Sequence, residues 1–168
     1  MMRYNIDPEV SRVWIKGTSS VHPIHAEANG LTGWLVAETD NGHFVDDDIT
    51  GHVEIAVDLL ASGNELVDRE TQRRIDAKHH PLITGDITTV DAVSDDVADI
   101  TGIVGFRGEN VEVSGTVGIE EAGDRLVLEG AQTLDVRRWG LKPPRLLVIR
   151  VHPEIEVAIR LELVPDTG

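Results

Sequence analysis

Cysteine is absent from the 168 residues. No disulfide, thiolate metal site or cysteine nucleophile can therefore contribute, and stability has to come from packing. Bases are few: 15 Lys and Arg stand against 30 Asp and Glu, for a formal net charge of −15. A polyanion would be repelled over most of such a surface, which argues against nucleic acid as a partner. No apolar run approaches the roughly 18–20 residues of a membrane span, and the opening MMRYNIDPEV lacks the apolar core of a secretion signal. The sequence thus reads as a cytoplasmic protein without a membrane span, and its acidity as solubility. Aromatic residues are scarce as well, with three Trp, two Phe and one Tyr.

What is present is period two. In Ile155-Glu156-Val157-Ala158-Ile159-Arg160-Leu161-Glu162-Leu163 every odd position is apolar, as a half-buried strand requires because successive side chains face opposite ways. The same alternation marks Val111, Val113, Val117 and Ile119 with Gly115 in phase, and Val53, Ile55, Val57 and Leu59. Weaker strand patterns cover Val13–Gly17, Ile24–Glu38, Leu82–Val90, Ala98–Arg107 and Arg125–Leu134, separated by turn-prone stretches such as Ser62-Gly63-Asn64 and Ala122-Gly123-Asp124. Residues 66–77 break the rule with helix formers and helical spacing, and Asn64 is placed to cap that helix. The expectation is one all-β domain over 1–168, with about eight antiparallel strands and one short helix.

Strands in this number hide their edges by closing into a barrel or by packing as two sheets. A barrel of about eight strands holds either side chains or one small ligand. Small residues at inward positions (Gly17, Ala26, Ala28, Gly33, Gly102, Gly115) and the shortage of aromatics favour a cavity, although glycines also mark bends and bulges.

The order of segments resembles the YceI-like family over nearly the whole chain. The residues that carry the resemblance are VDRETQRRIDAKHHPLI with Asp68, Arg69 and Pro81, then VGFRGENVEVSGTV, then LEGAQTLDVRRWGLKPP before the last alternating strand. The resemblance implies a lipocalin-like antiparallel barrel whose central cavity holds an isoprenoid chain or similar amphiphile, with the helix packed over part of the wall. No cofactor is implied.

Between Val136 and Pro153 there is no acid, yet five of the fifteen bases lie there. Two readings stand. Arg137, Arg138, Lys142 and Arg145 meet an anionic head group at the barrel mouth, with Trp139 closing over the chain, since a guanidinium donates two hydrogen bonds to one anion. Alternatively they pair with acidic loops such as Asp46-Asp47-Asp48 while Trp139 plugs the barrel. Phe106 reads as core, and with Gln132, an inward polar residue in phase with Leu126, Leu128 and Leu134, it completes the set of candidate ligand contacts. His22 and His25, with Glu27 nearby, form a weak metal or acid–base signal, because the spacing matches no ligand pattern and no third ligand follows. The leading function is binding and sequestering or carrying an apolar or amphiphilic small molecule. The alternatives are a cofactor-free isomerase or cyclase using the same cavity, which would need an inward ionisable group, and a collapsed barrel acting through its surface. Pairing as a homodimer is left open.

Overall fold

The computed structural model describes residues 2–19, 23–40, 43–44, 48–94, 96–141, 145–146 and 149–167. The elements in chain order are β1 Met2–Ile6, β2 Arg12–Ser19, β3 Ile24–Asn29, β4 Thr32–Ala37, β5 Thr39–Asp40, β6 His43–Phe44, β7 Thr50–Ala56, helix α1 Glu65–Arg74, β8 Leu82–Ser94, β9 Val97–Phe106, β10 Glu109–Ala122, β11 Arg125–Asp135, β12 Arg145–Leu146 and β13 Ile149–Pro165. Eight of the strands follow one another as β1-β4-β7-β8-β9-β10-β11-β13, all antiparallel. The ring closes where β1 pairs back to β13, from Tyr4 opposite Pro165 to Ile6 opposite Leu163. Closure removes the edges that an open sheet would expose.

β13 is long enough, at 17 residues, to serve two neighbours on one side. Its last residues pair with β1, and its middle pairs with β2 from Ile155 opposite Gly17 to Arg160 opposite Arg12. β2 then turns into β3, so the β2–β3 hairpin extends the wall beside the first half of β13. β5 and β6 pair separately, and β12 pairs only with β13.

Three differences from the sequence expectation have local causes. β1 was not foreseen, because only Tyr4 and Ile6 alternate before the Asp7-Pro8 turn; both are nonetheless buried at 6% exposure. The stretch Ile24–Glu38 is two strands, broken at Gly30, whose φ of +74° is a left-handed turn conformation. Leu59 does not continue β7: Val57–Leu59 is a 3-10 turn that buries Val57 and leaves Leu59 44% exposed.

Gly33, expected to face the cavity, serves a different purpose. Its φ is +146°, and a Cβ there would run into the His52 carbonyl of β7. Gly33→Ala is therefore expected to destabilise the fold by about 2 kcal/mol or more, read as a lowered urea midpoint with an unchanged slope.

The helix is where the pattern placed it. Asn64 caps it by accepting from the backbone N–H groups of Leu66 at 3.0 Å and Val67 at 3.3 Å. Asp68 reaches back to accept from Ser62 N at 2.9 Å, which ties the helix start to the preceding loop.

The two ends of the barrel differ. Tyr4, Leu35, Ala37, Val90, Ala98, Ile119, Leu126 and Leu163 form a closed core at the end that holds the Ala122–Arg125 turn. The opposite end holds the Arg107-Gly108 turn, the close of β11 and the start of β13, and packing there is looser.

Candidate ligand-binding site

From the middle of the barrel towards the looser end runs a cavity of about 280 Å³. Its wall is aliphatic: Val53 from β7, Ile87 from β8, Val104 from β9, Val113 from β10, Leu134 from β11 and Val157 from β13. Glycines Gly51, Gly85, Gly102, Gly115 and Gly130 also border it. Four of these have a neighbour that an added Cβ would touch, but at Gly115 nothing lies within 4 Å. Gly115 thus faces open space inside the barrel. Of these glycines only Gly102 and Gly115 were expected at inward positions from strand phase.

The wall is not continuous. The β10–β11 ladder runs from Ala122 opposite Arg125 to Val117 opposite Gly130 and stops there. Beyond that point β10 stays with β9 as far as Glu109, and β11 stays with β13 as far as Asp135. A seam opens between residues 109–116 and 131–135. Backbone groups along a split must find other partners, and side chains from β11 and the following turn supply two of them. The Gln132 side-chain amide donates to the Ser114 carbonyl, and Arg138 Nη2 donates to the Glu112 carbonyl at 2.8 Å. Gln132 borders the cavity, as the strand phase required, but it is exposed because it stands in the seam.

At the looser end the described start of the basic segment, from Val136 to Gly140, pairs within the chain. Asp135 caps the 3-10 turn Val136–Trp139 and accepts from the Arg137 backbone N–H at 2.9 Å. The same carboxylate takes the Arg137 guanidinium in a fork, Nε to Oδ1 at 3.0 Å and Nη2 to Oδ2 at 2.6 Å. That side-chain contact holds the Asp135 carboxyl below its ordinary range. Trp139 is 6% exposed and donates its indole N–H to the Val104 carbonyl at 2.9 Å, reaching past β10 to β9. Arg138 stacks over that ring at 5.9 Å. Arg137 is thus paired with its own neighbour Asp135; of the acidic run given as an example in the pairing reading, Asp48 precedes β7 at the other end of the barrel, and Asp46 and Asp47 lie outside the described residues. Lys142 and the Arg145 side chain also lie outside them. Phe106 ends β9 beyond Val104, the last residue of that strand on the cavity wall.

Arg107 belongs to this end and was missed. It has φ +55°, donates from Nη1 to the Gly140 carbonyl at 3.3 Å, and buries an Nε–H with no partner. A donor left unpaired in the interior costs about 1–3 kcal/mol. The sequence signal for it was weak, because Arg107 reads simply as the last residue of the strand pattern Ala98–Arg107.

The histidines fall elsewhere. His25 is on the outer face of β3 opposite Lys16, and His22 lies outside the described residues. Among the described residues no group of three His, Asp or Glu side chains could hold a metal ion. His52 and Glu54, out of phase with the inward Val53 and Ile55, form a cluster on the outer side of β7. The His52 Nδ1 is 2.7 Å from Asp86 and its Nε2 is 3.1 Å from Glu54, with Trp34 beside it at 6.4 Å between ring centroids. The hydrogen bonds to Glu54 and then Asp86 raise the imidazole pKa above its usual value. A group whose folded pKa exceeds its unfolded one stabilises fully below the unfolded value, near 6.5, and that contribution is lost as pH rises through the folded value. Denaturation from pH 6 to 8 should therefore show a decline in stability that His52→Gln flattens.

The cavity itself offers little acid–base chemistry. Its in-phase wall positions are aliphatic residues, glycine and Gln132, while His52 and Asp86 border it from out-of-phase positions and are engaged with each other. The lining of the lumen is thus predominantly apolar.

This geometry has solved counterparts. BcnA of Burkholderia cenocepacia superposes with a TM-score of 0.79 at 14% identity, covering 94% of this chain and 98% of its own. A polyisoprenoid binding domain from Saccharophagus degradans, implicated in plant cell wall breakdown, gives 0.78 at 13% identity over 99% and 100%. The YceI protein of Campylobacter jejuni gives 0.70 at 12% over 85% of each chain. The fold is that of the YceI-like proteins. No family model and no curated protein matches the sequence, so in this YceI-like barrel the likeness lies in the backbone, while the side chains of the lumen and seam have to be read on their own terms. No helix among the described residues is long and apolar enough to cross a membrane.

Proposed function

We propose that this YceI-like barrel binds an apolar or amphiphilic small molecule of isoprenoid type, with its chain in the lumen, and sequesters or carries it. The observation that carries the reading is the aliphatic cavity of about 280 Å³, with Gly115 facing open space inside it. The polyisoprenoid binding domain among the similar structures supports the same chemistry. Burying about 200 Å² of chain at roughly 25 cal/mol per Å² is worth about 5 kcal/mol before association costs, so binding needs no catalytic group. The cavity counts against the collapsed-barrel alternative, and the lack of an in-phase ionisable wall residue gives the enzyme alternative no specific support.

Within this reading Trp139 and Arg138 cover the looser end, Arg107 presents a spare donor there, and Gln132 marks the open side. Native mass spectrometry of the purified protein, compared with denaturing conditions, tests the proposal. The expected result is a released species of a few hundred daltons built of five-carbon units, or uptake of geraniol when the protein arrives empty. A protein that stays bare after isoprenoid alcohols and quinones are offered contradicts it.

A further inference from the structure

The outer face of β11, β13, β2 and β3 carries a second concavity of about 870 Å³. Two rows of side chains cross it. Ala131, Ala158, Trp14 and Glu27 are successive cross-strand partners, and so are Thr133, Glu156, Lys16 and His25. Trp14 is 38% exposed, and the two alanines beside it leave the approach to its ring clear. Of the three tryptophans, Trp34 and Trp139 each lie under an arginine, whereas among the described residues no cation is stacked over Trp14. Among the described residues, Trp14, Lys16, His25, Glu27, Thr133 and Glu156 make no side-chain hydrogen bond or ion pair with one another or with other groups, although carboxylates and an ammonium lie on adjacent strands.

This groove and the lumen lie on either side of the same strands. Ala131, Gln132 and Val157 border both. The β10–β11 ladder has already ended at Gly130, and beside Gln132 the wall is held by a side-chain hydrogen bond, from the Gln132 amide to the Ser114 carbonyl, in place of a backbone ladder. The looser end is a poorer exit, because Trp139 is buried across it and Arg137 and Arg138 already have acceptors.

On the reading of the lumen as the site of an apolar chain, we propose that the ligand's polar end leaves through the seam and rests on Trp14, and that this end is an uncharged, polyhydroxylated group of sugar-ring size. The ring face of Trp14 stacks against the C–H face of such a group, its electron-rich surface attracting the partly positive hydrogens. The unspent carboxylates, ammonium, hydroxyl and amide around it supply both acceptors and donors for hydroxyls, which need both. An anionic head is disfavoured, because Glu27 and Glu156 outnumber Lys16 in the groove.

The test is calorimetry of the full chain with geraniol, geranyl β-glucoside and geranyl phosphate, on the wild type, Trp14→Ala and Trp14→Phe. The wild type is expected to bind the glucoside at least 10-fold more tightly than geraniol. Trp14→Ala should erase that advantage while leaving geraniol affinity unchanged, and Trp14→Phe should restore part of it. If geraniol binds but the glucoside gains nothing, if the gain survives Trp14→Ala, or if the phosphate binds most tightly, the head-group inference is wrong and the lumen reading stands. If none of the three binds, both fail.

Discussion

Gly115→Leu is expected to abolish binding of an isoprenoid chain, lowering affinity by about 100-fold or more, which corresponds to roughly 3 kcal/mol, while leaving the fold intact. The argument is spatial. Gly115 lies mid-strand on β10, opposite Ile100 of β9, and the β10–β11 ladder has ended before it. Its Cβ position meets nothing within 4 Å, so the new side chain has room without moving the backbone. It would stand among Val113, Val117 and Leu134, in the space proposed for the ligand. Filling apolar space with an aliphatic group is neutral or stabilising, by at most about 1.5–3 kcal/mol. Thermal melts should therefore stay level or rise by a few degrees, since 1 kcal/mol moves a chain of this size by about 2–4 °C. Calorimetry and melting read together separate the two effects: lost binding with a preserved melt supports the lumen, and retained binding places the ligand elsewhere.

Trp139→Ala should carry the largest stability loss of any single change in the basic segment. A buried aromatic truncated to Ala costs about 3–5 kcal/mol, so the melting temperature should fall by on the order of 10 °C. The ring does three things at once. It fills the looser end of the barrel, bonds the Val104 carbonyl, and supports the Arg138 guanidinium stacked on it. Trp139→Phe isolates the second of these: most of the packing remains and the Val104 carbonyl is left without the indole, for an expected loss of about 1–2 kcal/mol. Equal melting temperatures for Trp139→Ala and the wild type would show that the turn Val136–Trp139 does not close the barrel.

Both residues were legible in the sequence, but for unequal reasons. Gly115 announced itself by falling in phase with Val111, Val113 and Val117, and strand phase is a local property that a pleated backbone enforces. The last strand, the helix cap at Asn64 and the hairpin turns were readable on the same footing. What phase cannot report is which strand lies beside which, and the seam is a fact of that kind: β10 keeps its alternation through Val111, Val113, Gly115 and Val117 although its pairing with β11 ends at Val117. The role of Gln132 was therefore half visible. Its inward phase could be read, whereas its place across a split from the Ser114 carbonyl could not.

The basic segment shows the opposite limit. Its charge was conspicuous, and charge alone pointed to an anionic head group or to acidic loops such as Asp46-Asp47-Asp48. The partner is Asp135, two residues from Arg137, because a 3-10 turn needs a cap and the capping carboxylate is already within reach of the guanidinium. Short-range geometry outweighed bulk charge. The His52 cluster was hidden for the same reason as the seam, since Glu54 is adjacent in phase but Asp86 arrives from the next strand, 34 residues away.

The most direct measurement of the central claim is the position of a bound chain. An NMR sample with methyl-labelled Val, Leu and Ile and unlabelled geraniol should give intermolecular NOEs from the ligand methyl groups to Val113, Leu134 and Val157, which line the lumen on neighbouring strands. NOEs confined to outer-face methyl groups such as Leu66 or Leu82, with the lumen signals unmoved at saturation, would contradict the account.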